Sequence, residues 1–244
     1  MPTPEIRTFK DLEDLSRGAA QEFAALSRES PQGSKPFAAA LSGGSTPKRF
    51  YELLAAPEFA ASVAWEQVML FQVDERAVPP DDPRSNYKMM REALLERVRG
   101  VRFFRMAAEQ ADLESAARDY ASGLRAALAV QPAEWPRLDV IYLGMGEDGH
   151  TASLFPGTAA LSERKLAVTP NYVAKLRMSR LTLTLPVLNA ARRVIFLVSG
   201  AEKAEMLRRV LRPDNSSPAL PSQLVSPANG TVSWYVDEDA ASLL

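Results

Sequence analysis

Leu143-Gly144-Met145-Gly146-Glu147-Asp148-Gly149-His150-Thr151-Ala152-Ser153-Leu154-Phe155-Pro156 follows an apolar run, Leu138 to Leu143, that reads as a buried strand. Three glycines fall within six residues, and His150 is the one histidine among 244 residues. Glycine admits positive φ and lets the backbone approach a ligand closely. The stretch predicts a strand, then a tight loop, then a polar turn opening onto Thr151 and Ser153. In a parallel α/β sheet such a loop lies at the carboxyl end of a strand, where ligands bind. A lone histidine is more often a surface or satisfied residue. Here it follows Asp-Gly in a glycine loop at a strand end, which points to general acid–base work, because imidazole titrates near neutrality.

Outward from this stretch, apolar runs alternate with amphipathic patterns. Residues 5–9, Phe37 to Leu41, Val68 to Val73, Arg102 to Met106, Leu166 to Thr169, Arg180 to Leu185, Val194 to Val198 and Val232 to Val236 read as strands. Residues 11–29 carry Leu12, Leu15, Ala19, Phe23 and Leu26 at helical spacing, and Pro31-Gln32-Gly33-Ser34 breaks that helix. Further helices are expected over Asn86 to Val98, Asp112 to Val130 and Ala201 to Leu211. The alternation predicts one α/β domain over residues 1–244, a Rossmann-like sandwich with a mostly parallel sheet flanked by helices.

Composition narrows the chemistry. An apolar fraction of 46% suffices for a core, and a net charge of −1 offers no global attraction to nucleic acid or anionic membranes. An anionic ligand must then be held by local positive groups. There is no cysteine, which excludes disulfides and thiolate chemistry. One histidine excludes an HExxH zinc site. Met1-Pro2-Thr3-Pro4-Glu5 is not a signal peptide, and no apolar run approaches the roughly 20 residues of a membrane span, so a soluble cytoplasmic protein is expected.

Ser42-Gly43-Gly44-Ser45-Thr46-Pro47 follows one predicted strand and precedes the helical pattern Phe50, Tyr51, Leu53, Leu54. Proline just inside a helix start, preceded by Ser/Thr, marks the N-terminus. Strand, small polar loop and helix N-terminus together suit phosphate or carboxylate. The plainer alternative is a capped turn with no ligand. The loop is neither a Walker A loop nor GxGxxG. Asp74-Glu75-Arg76 follows a second strand and reads either as a solvated turn or as part of a site. The proline-rich loop Pro79 to Ser85 lies beyond it. Ser199-Gly200, with Lys203, follows another strand. A parallel sheet brings these ends to the edge that carries Asp148-Gly149-His150. No G-x-S-x-G elbow occurs. The simplest fit is a small phosphorylated substrate anchored by its phosphate while His150 moves a proton.

LSGGSTPKRFYELL, QVDERAVPPDDPRSNYKMM and LGMGEDGHTASLFPGT resemble, in order, the signature blocks of the glucosamine-6-phosphate isomerase/6-phosphogluconolactonase family, on its 6-phosphogluconolactonase side. SGAEKA is a fourth, weaker block, and the resemblance spans about Phe37 to Trp234. It implies the fold shared by glucosamine-6-phosphate deaminase and ribose-5-phosphate isomerase. It also implies hydrolysis of 6-phospho-D-glucono-1,5-lactone in the pentose phosphate pathway, with no metal or organic cofactor. His150 would take a proton from water and return it to the ring oxygen. Asp148 would either orient the ring or merely shape the turn. Ser42, Gly43, Gly44, Ser45 and Thr46 would hold the phosphate, with Arg76 and Lys203 as countercharge and Asp74 among the substrate contacts. On bare sequence Arg76 pairs equally well with Glu75 or Asp74, and Lys203 reads as a solvated helix residue. Asp74 and Asp148 are not ranked as the supporting carboxylate. Deaminase relatives carry a glutamate five residues after the histidine, where this chain has Phe155. A non-catalytic sugar-phosphate sensor is a further alternative, disfavoured by the absence of a basic helix-turn-helix segment ahead of Phe37. A small-molecule substrate, no nucleic acid, no membrane, and a monomer or weak homo-oligomer are expected.

Overall fold

Short β-rich apolar runs, each too hydrophobic to face water, pair side by side at the centre of the structure. A computed structural model describes residues 5–29, 35–212 and 218–244. Its strands are β1 (Glu5–Phe9), β2 (Phe37–Leu41), β3 (Val68–Gln72), β4 (Asp74–Arg76), β5 (Arg102–Phe104), β6 (Val140–Gly144), β7 (Val168–Val173), β8 (Met178–Leu183), β9 (Arg193–Val198) and β10 (Thr231–Asp237). The α-helices are α1 (Leu12–Glu29), α2 (Ser45–Leu54), α3 (Pro57–Ala60), α4 (Asn86–Met90), α5 (Leu113–Ala127), α6 (Leu185–Leu188), α7 (Ala204–Leu211) and α8 (Glu238–Ala241). The expected break at Pro31-Gln32-Gly33-Ser34 lies outside the described residues.

Seven strands form one wholly parallel sheet in the order β1-β10-β9-β6-β2-β3-β5. The chain builds outward from β2 through β3 to β5, then returns to lay β6 on the other side of β2 and builds outward through β9 and β10. The reversal falls between β2 and β6. A crevice opens at the carboxyl ends of the two strands flanking such a reversal. The Gly-rich loops after β2 and β6 are the two that flank it here.

Strand alternation divides the core into two layers. Phe37, Ala39 and Leu41 of β2, with Val140 and Tyr142 of β6, face α1 and α2. Ala38, Ala40, Ile141 and Leu143 face the layer built by α5, α6 and α7. Phe23 of α1 meets Phe37 edge-on at 5.4 Å, and Phe50 of α2 lies 4.7 Å from Tyr142. Such aromatic pairs add about 0.5–1.5 kcal/mol each beyond the area they bury.

A second, antiparallel sheet, β4-β8-β7, departs from the expected architecture. Asp74-Glu75-Arg76 is a strand of that sheet and not a solvated turn. Val73 joins the two sheets: its N–H donates to the Leu41 carbonyl and its carbonyl accepts from the Leu183 N–H. Helix α2 begins at Ser45, so Pro47 lies in its first turn as its third residue, and Gly44 stands at the cap position with no side-chain cap. The expected helix from Asn86 relaxes into a π-helical turn over Arg91–Leu95. The helix expected from Ala201 opens with a 3₁₀ turn, Ala201–Lys203.

Candidate active site

The loop after β2 is held from below. The Tyr51 hydroxyl of α2 donates to the Ser42 carbonyl at 2.7 Å. Burial pushes the Tyr51 phenol well above its ordinary pKa, aided by the Asp74 charge, so it stays a neutral donor. Asn86 packs so closely over Gly43 that a Cβ there would lie 1.7 Å from its Oδ1. The Asn86 amide donates to the Asp74 carbonyl at 2.9 Å and to Asp74 Oδ1 at 3.2 Å, tying this loop to β4.

Glu75 is a structural hub. Its carboxylate accepts from the backbone N–H groups of Arg76, Asn86 and Tyr87 and from the side chains of Gln72 and Ser85, all within 3.1 Å. Arg76 is thereby left without a carboxylate partner among the described residues, and its guanidinium donates instead to the Arg84 carbonyl at 2.5 Å. Across the β4–β8 pair, Arg76 stands directly opposite Arg180. Like charges in register repel. Burial lowers the pKa of Arg180; Asp74 at 3.9 Å opposes that shift, and Arg76 adds to it.

Asp74 is buried, accepts from the Ser153 hydroxyl at 2.6 Å and faces Arg180. Ser153 also lies 3.3 Å from Arg180 Nη1. The turn after His150 therefore does not open Ser153 to solvent; it buries that hydroxyl between Asp74 and Arg180.

In the loop after β6, Gly146 N–H donates to the His150 carbonyl at 2.9 Å, and Gly149 N–H to the Gly146 carbonyl at 3.0 Å. Only glycine fits at 146, because a Cβ would meet the imidazole Nδ1 at 1.9 Å. His150 Nδ1 lies 2.5 Å from Asp148 Oδ1. Asp148 also accepts from Lys175 Nζ, on the turn between β7 and β8. Burial would raise the Asp148 pKa, but the bonds from His150 and Lys175 outweigh it and hold the carboxyl below its usual range. An ionised carboxylate is an acceptor only, so it accepts a hydrogen bond from Nδ1–H and leaves the lone pair on Nε2. The other face of the ring rests on Phe155, with centroids 4.0 Å apart and planes 19° apart.

Several of these groups line one open cleft at the carboxyl ends of the parallel strands. Its walls include Ser42, Gly43, Gly44, Ser45, Thr46, Asp74, Arg76, His150, Arg180 and Lys203. Lys203 Nζ lies 3.6 Å from Glu147, itself well exposed. Asp148 does not line the cleft; it stands behind His150. Ser199 lines the cleft, but its hydroxyl is committed to Asp237. Among the described residues, three buried polar atoms on these walls lack a partner: Ser42 Oγ, Arg76 Nε and Arg180 Nε.

Arg180, Asn86 and Lys175 are the residues that sequence reasoning did not single out. Arg180 carried one usable signal, an arginine at the polar register of the alternating run RLTLTL. Asn86 and Lys175 carried none. Among the described residues no group of three or more His, Asp and Glu side chains is arranged to hold a metal ion, and no helix is long and apolar enough to cross a membrane.

The sequence profile described as glucosamine-6-phosphate isomerases/6-phosphogluconolactonase matches residues 10–234. A 6-phosphogluconolactonase of Nostoc sp. is 41% identical over 210 residues, covering 85% of each chain. The Homo sapiens 6-phosphogluconolactonase is 40% identical over 244 residues, covering 98% of this chain and 93% of its own. The solved 6-phosphogluconolactonase of Trypanosoma cruzi superposes with a TM-score of 0.89 at 30% identity, covering 99% of this chain and 97% of that one. The chain belongs to the glucosamine-6-phosphate isomerase/6-phosphogluconolactonase family.

Proposed function

We propose that this chain hydrolyses 6-phospho-D-glucono-1,5-lactone to 6-phosphogluconate, in the oxidative pentose phosphate pathway. The observation that carries the reading is the in-register opposition of Arg76 and Arg180 on the wall of a cleft that also holds His150. Two guanidiniums side by side repel unless an anion lies between them, and a phosphate supplies that charge with oxygens for bidentate contact. The N–H groups of Gly43, Gly44, Ser45 and Thr46 complete the cradle, with Ser42 Oγ and Lys203 at its sides. Asp74 is itself an anion and would repel phosphate. Its role is to hold Arg180 and Ser153 while facing the sugar.

The phosphate anchors the lactone with C1 toward His150. Nε2 takes a proton from water as the new C1–O bond forms. The tetrahedral intermediate collapses with cleavage of the C1–ring oxygen bond, and the imidazolium gives its proton to the departing oxygen. Asp148 orients the ring and stabilises the imidazolium. Phe155 offers no carboxylate for a second proton transfer, which favours hydrolysis over aldose–ketose chemistry. Every group comes from one chain, so a monomer or weak homo-oligomer, with residues 1–244 acting as one unit, suffices.

The test is hydrolysis of freshly generated 6-phosphogluconolactone above its spontaneous rate, alongside unphosphorylated gluconolactone and glucosamine 6-phosphate. Turnover of the phosphorylated lactone alone supports both the reaction and the anchor. Ammonia release from glucosamine 6-phosphate would replace it with the deaminase reading. Binding without turnover would move the chain to the sensor class.

A further inference from the structure

Lys175 lies outside the cleft, on the turn that joins β7 to β8, where Arg177 adopts a left-handed conformation with φ 48°. It nevertheless reaches the base by two routes. Its ammonium bonds Asp148 Oδ2, while the other oxygen of that carboxylate holds His150 Nδ1. It also lies 4.9 Å over the ring of Phe155, whose plane carries the imidazole. The side chain is about half exposed, 52%, so its place in the turn is not dictated by core packing. A lysine held only by solvent would lose rotamer entropy for no return in this position.

We propose that Lys175 is a positioning residue for His150: by sharing the Asp148 carboxylate it fixes that acceptor on Nδ1 and offsets its charge, so that Nε2 stays free to take a proton. A carboxylate bound to imidazole favours the doubly protonated ring, and a cation on the same carboxylate opposes that pull. Asp148 is held below the usual carboxylate range by these same two contacts, which is the same coupling seen from the acid. The other charged groups around the ring are Glu147 on its own loop, Asp74 and Arg76 on β4, Arg180 on β8, and Lys203 at the start of the helix after β9. Glu147 is countered by Lys203 and Asp74 by Arg180. Lys175 is the cation paired with Asp148.

The inference rests on His150 being the base, and the two separate cleanly because His150 is the chain's one histidine. In protein labelled with ¹⁵N-histidine and freed of any tag, a single imidazole reports its tautomer and titration without assignment and without substrate. Wild type, Lys175→Met and Lys175→Arg are compared, with the pH dependence of kcat/KM measured in parallel. In Lys175→Met the imidazole midpoint and the acidic limb of kcat/KM are expected to move together to higher pH, by roughly half a unit or more, the size expected from removing a nearby charge. Lys175→Arg is expected to keep both at their wild-type positions. An unmoved imidazole midpoint in Lys175→Met, or an equal shift in Lys175→Arg, overturns the role of the Lys175 charge. A rise in KM with both midpoints unmoved would make Lys175 a substrate contact and also overturns it. If His150→Gln keeps wild-type turnover, the base assignment fails, whatever the NMR titration shows.

Discussion

The imidazole of His150 lies flat on the phenyl ring of Phe155, 4.0 Å between centroids, while its edge is held 2.5 Å from Asp148. One contact sets the plane of the ring and the other its rotation in that plane. Phe155→Leu retains bulk but loses the flat surface. It is expected to lower kcat by about tenfold, from a misplaced base, and stability by up to about 1.5 kcal/mol. Steady-state kinetics and urea denaturation check both.

Replacing His150 by Gln removes the base while keeping a polar side chain beside Asp148. The expected loss in kcat is about 10²–10⁴-fold, with an unchanged circular dichroism spectrum. Near-wild-type kcat would remove His150 from the chemistry.

Arg76 and Arg180 differ in what each leaves behind. Arg76→Ala leaves no buried partner unpaired, because Glu75 is satisfied by other donors. It should raise KM with little change in kcat, and relieve the repulsion on Arg180 in the free protein. 6-Phosphogluconate should raise the Tm of the wild type and not that of Arg76→Ala. Arg180→Ala exposes a different fault, since Asp74 keeps only Ser153 and Asn86. It should raise KM and cost stability toward the lower end of the ~3–5 kcal/mol seen when a buried pair loses one member, the separation here being 3.9 Å. Equal stability losses in the two variants would contradict this division.

Gly43→Ala places a methyl where Asn86 Oδ1 lies 1.7 Å away. The loop after β2 must shift, with a stability loss of about 1–3 kcal/mol and a raised KM. The double variant Gly43→Ala/Asn86→Ala should recover part of the stability, which a double-mutant cycle measures. Strict additivity would show that this contact is not what limits position 43.

Asp148 makes stability depend on pH with a definite sign. Its carboxyl pKa is lower folded than unfolded, so its contribution is full above the ordinary value of 3.8 and is lost as pH falls through the folded value. The stability gap between wild type and Asp148→Asn should therefore narrow as pH falls below the ordinary carboxyl value of 3.8. Chemical denaturation across that range tests it. A gap that widens as pH falls below 3.8 would reverse the assignment of the depressed pKa.

Much of the fold was legible because its signals are local. The runs at Phe37, Val68, Leu138, Val194 and Val232 are short, apolar and closed by turn residues, and each is a strand of the parallel sheet. The glycine loops at 42–47 and 143–150 announced a crevice before any pairing was known. The small antiparallel sheet was not legible, because β4 has only three residues, all charged, and polar strands of that length have no periodicity to read. The start of α2 was legible from Pro47 in its first turn, while the cap itself is Gly44, which has no side-chain acceptor.

By itself the sequence determined the alternation of strand and helix, the absence of thiol chemistry, the single imidazole and the anion-suited loop, for all of these depend on residue type and near-neighbour spacing. Only the tertiary structure decided which charges meet. Arg76 faces Arg180 through a strand register, Asn86 closes on Gly43, and Lys175 joins His150 through Asp148. Such contacts come from chain segments far apart. Their positions follow from how the two sheets pack around Val73, which no local pattern encodes.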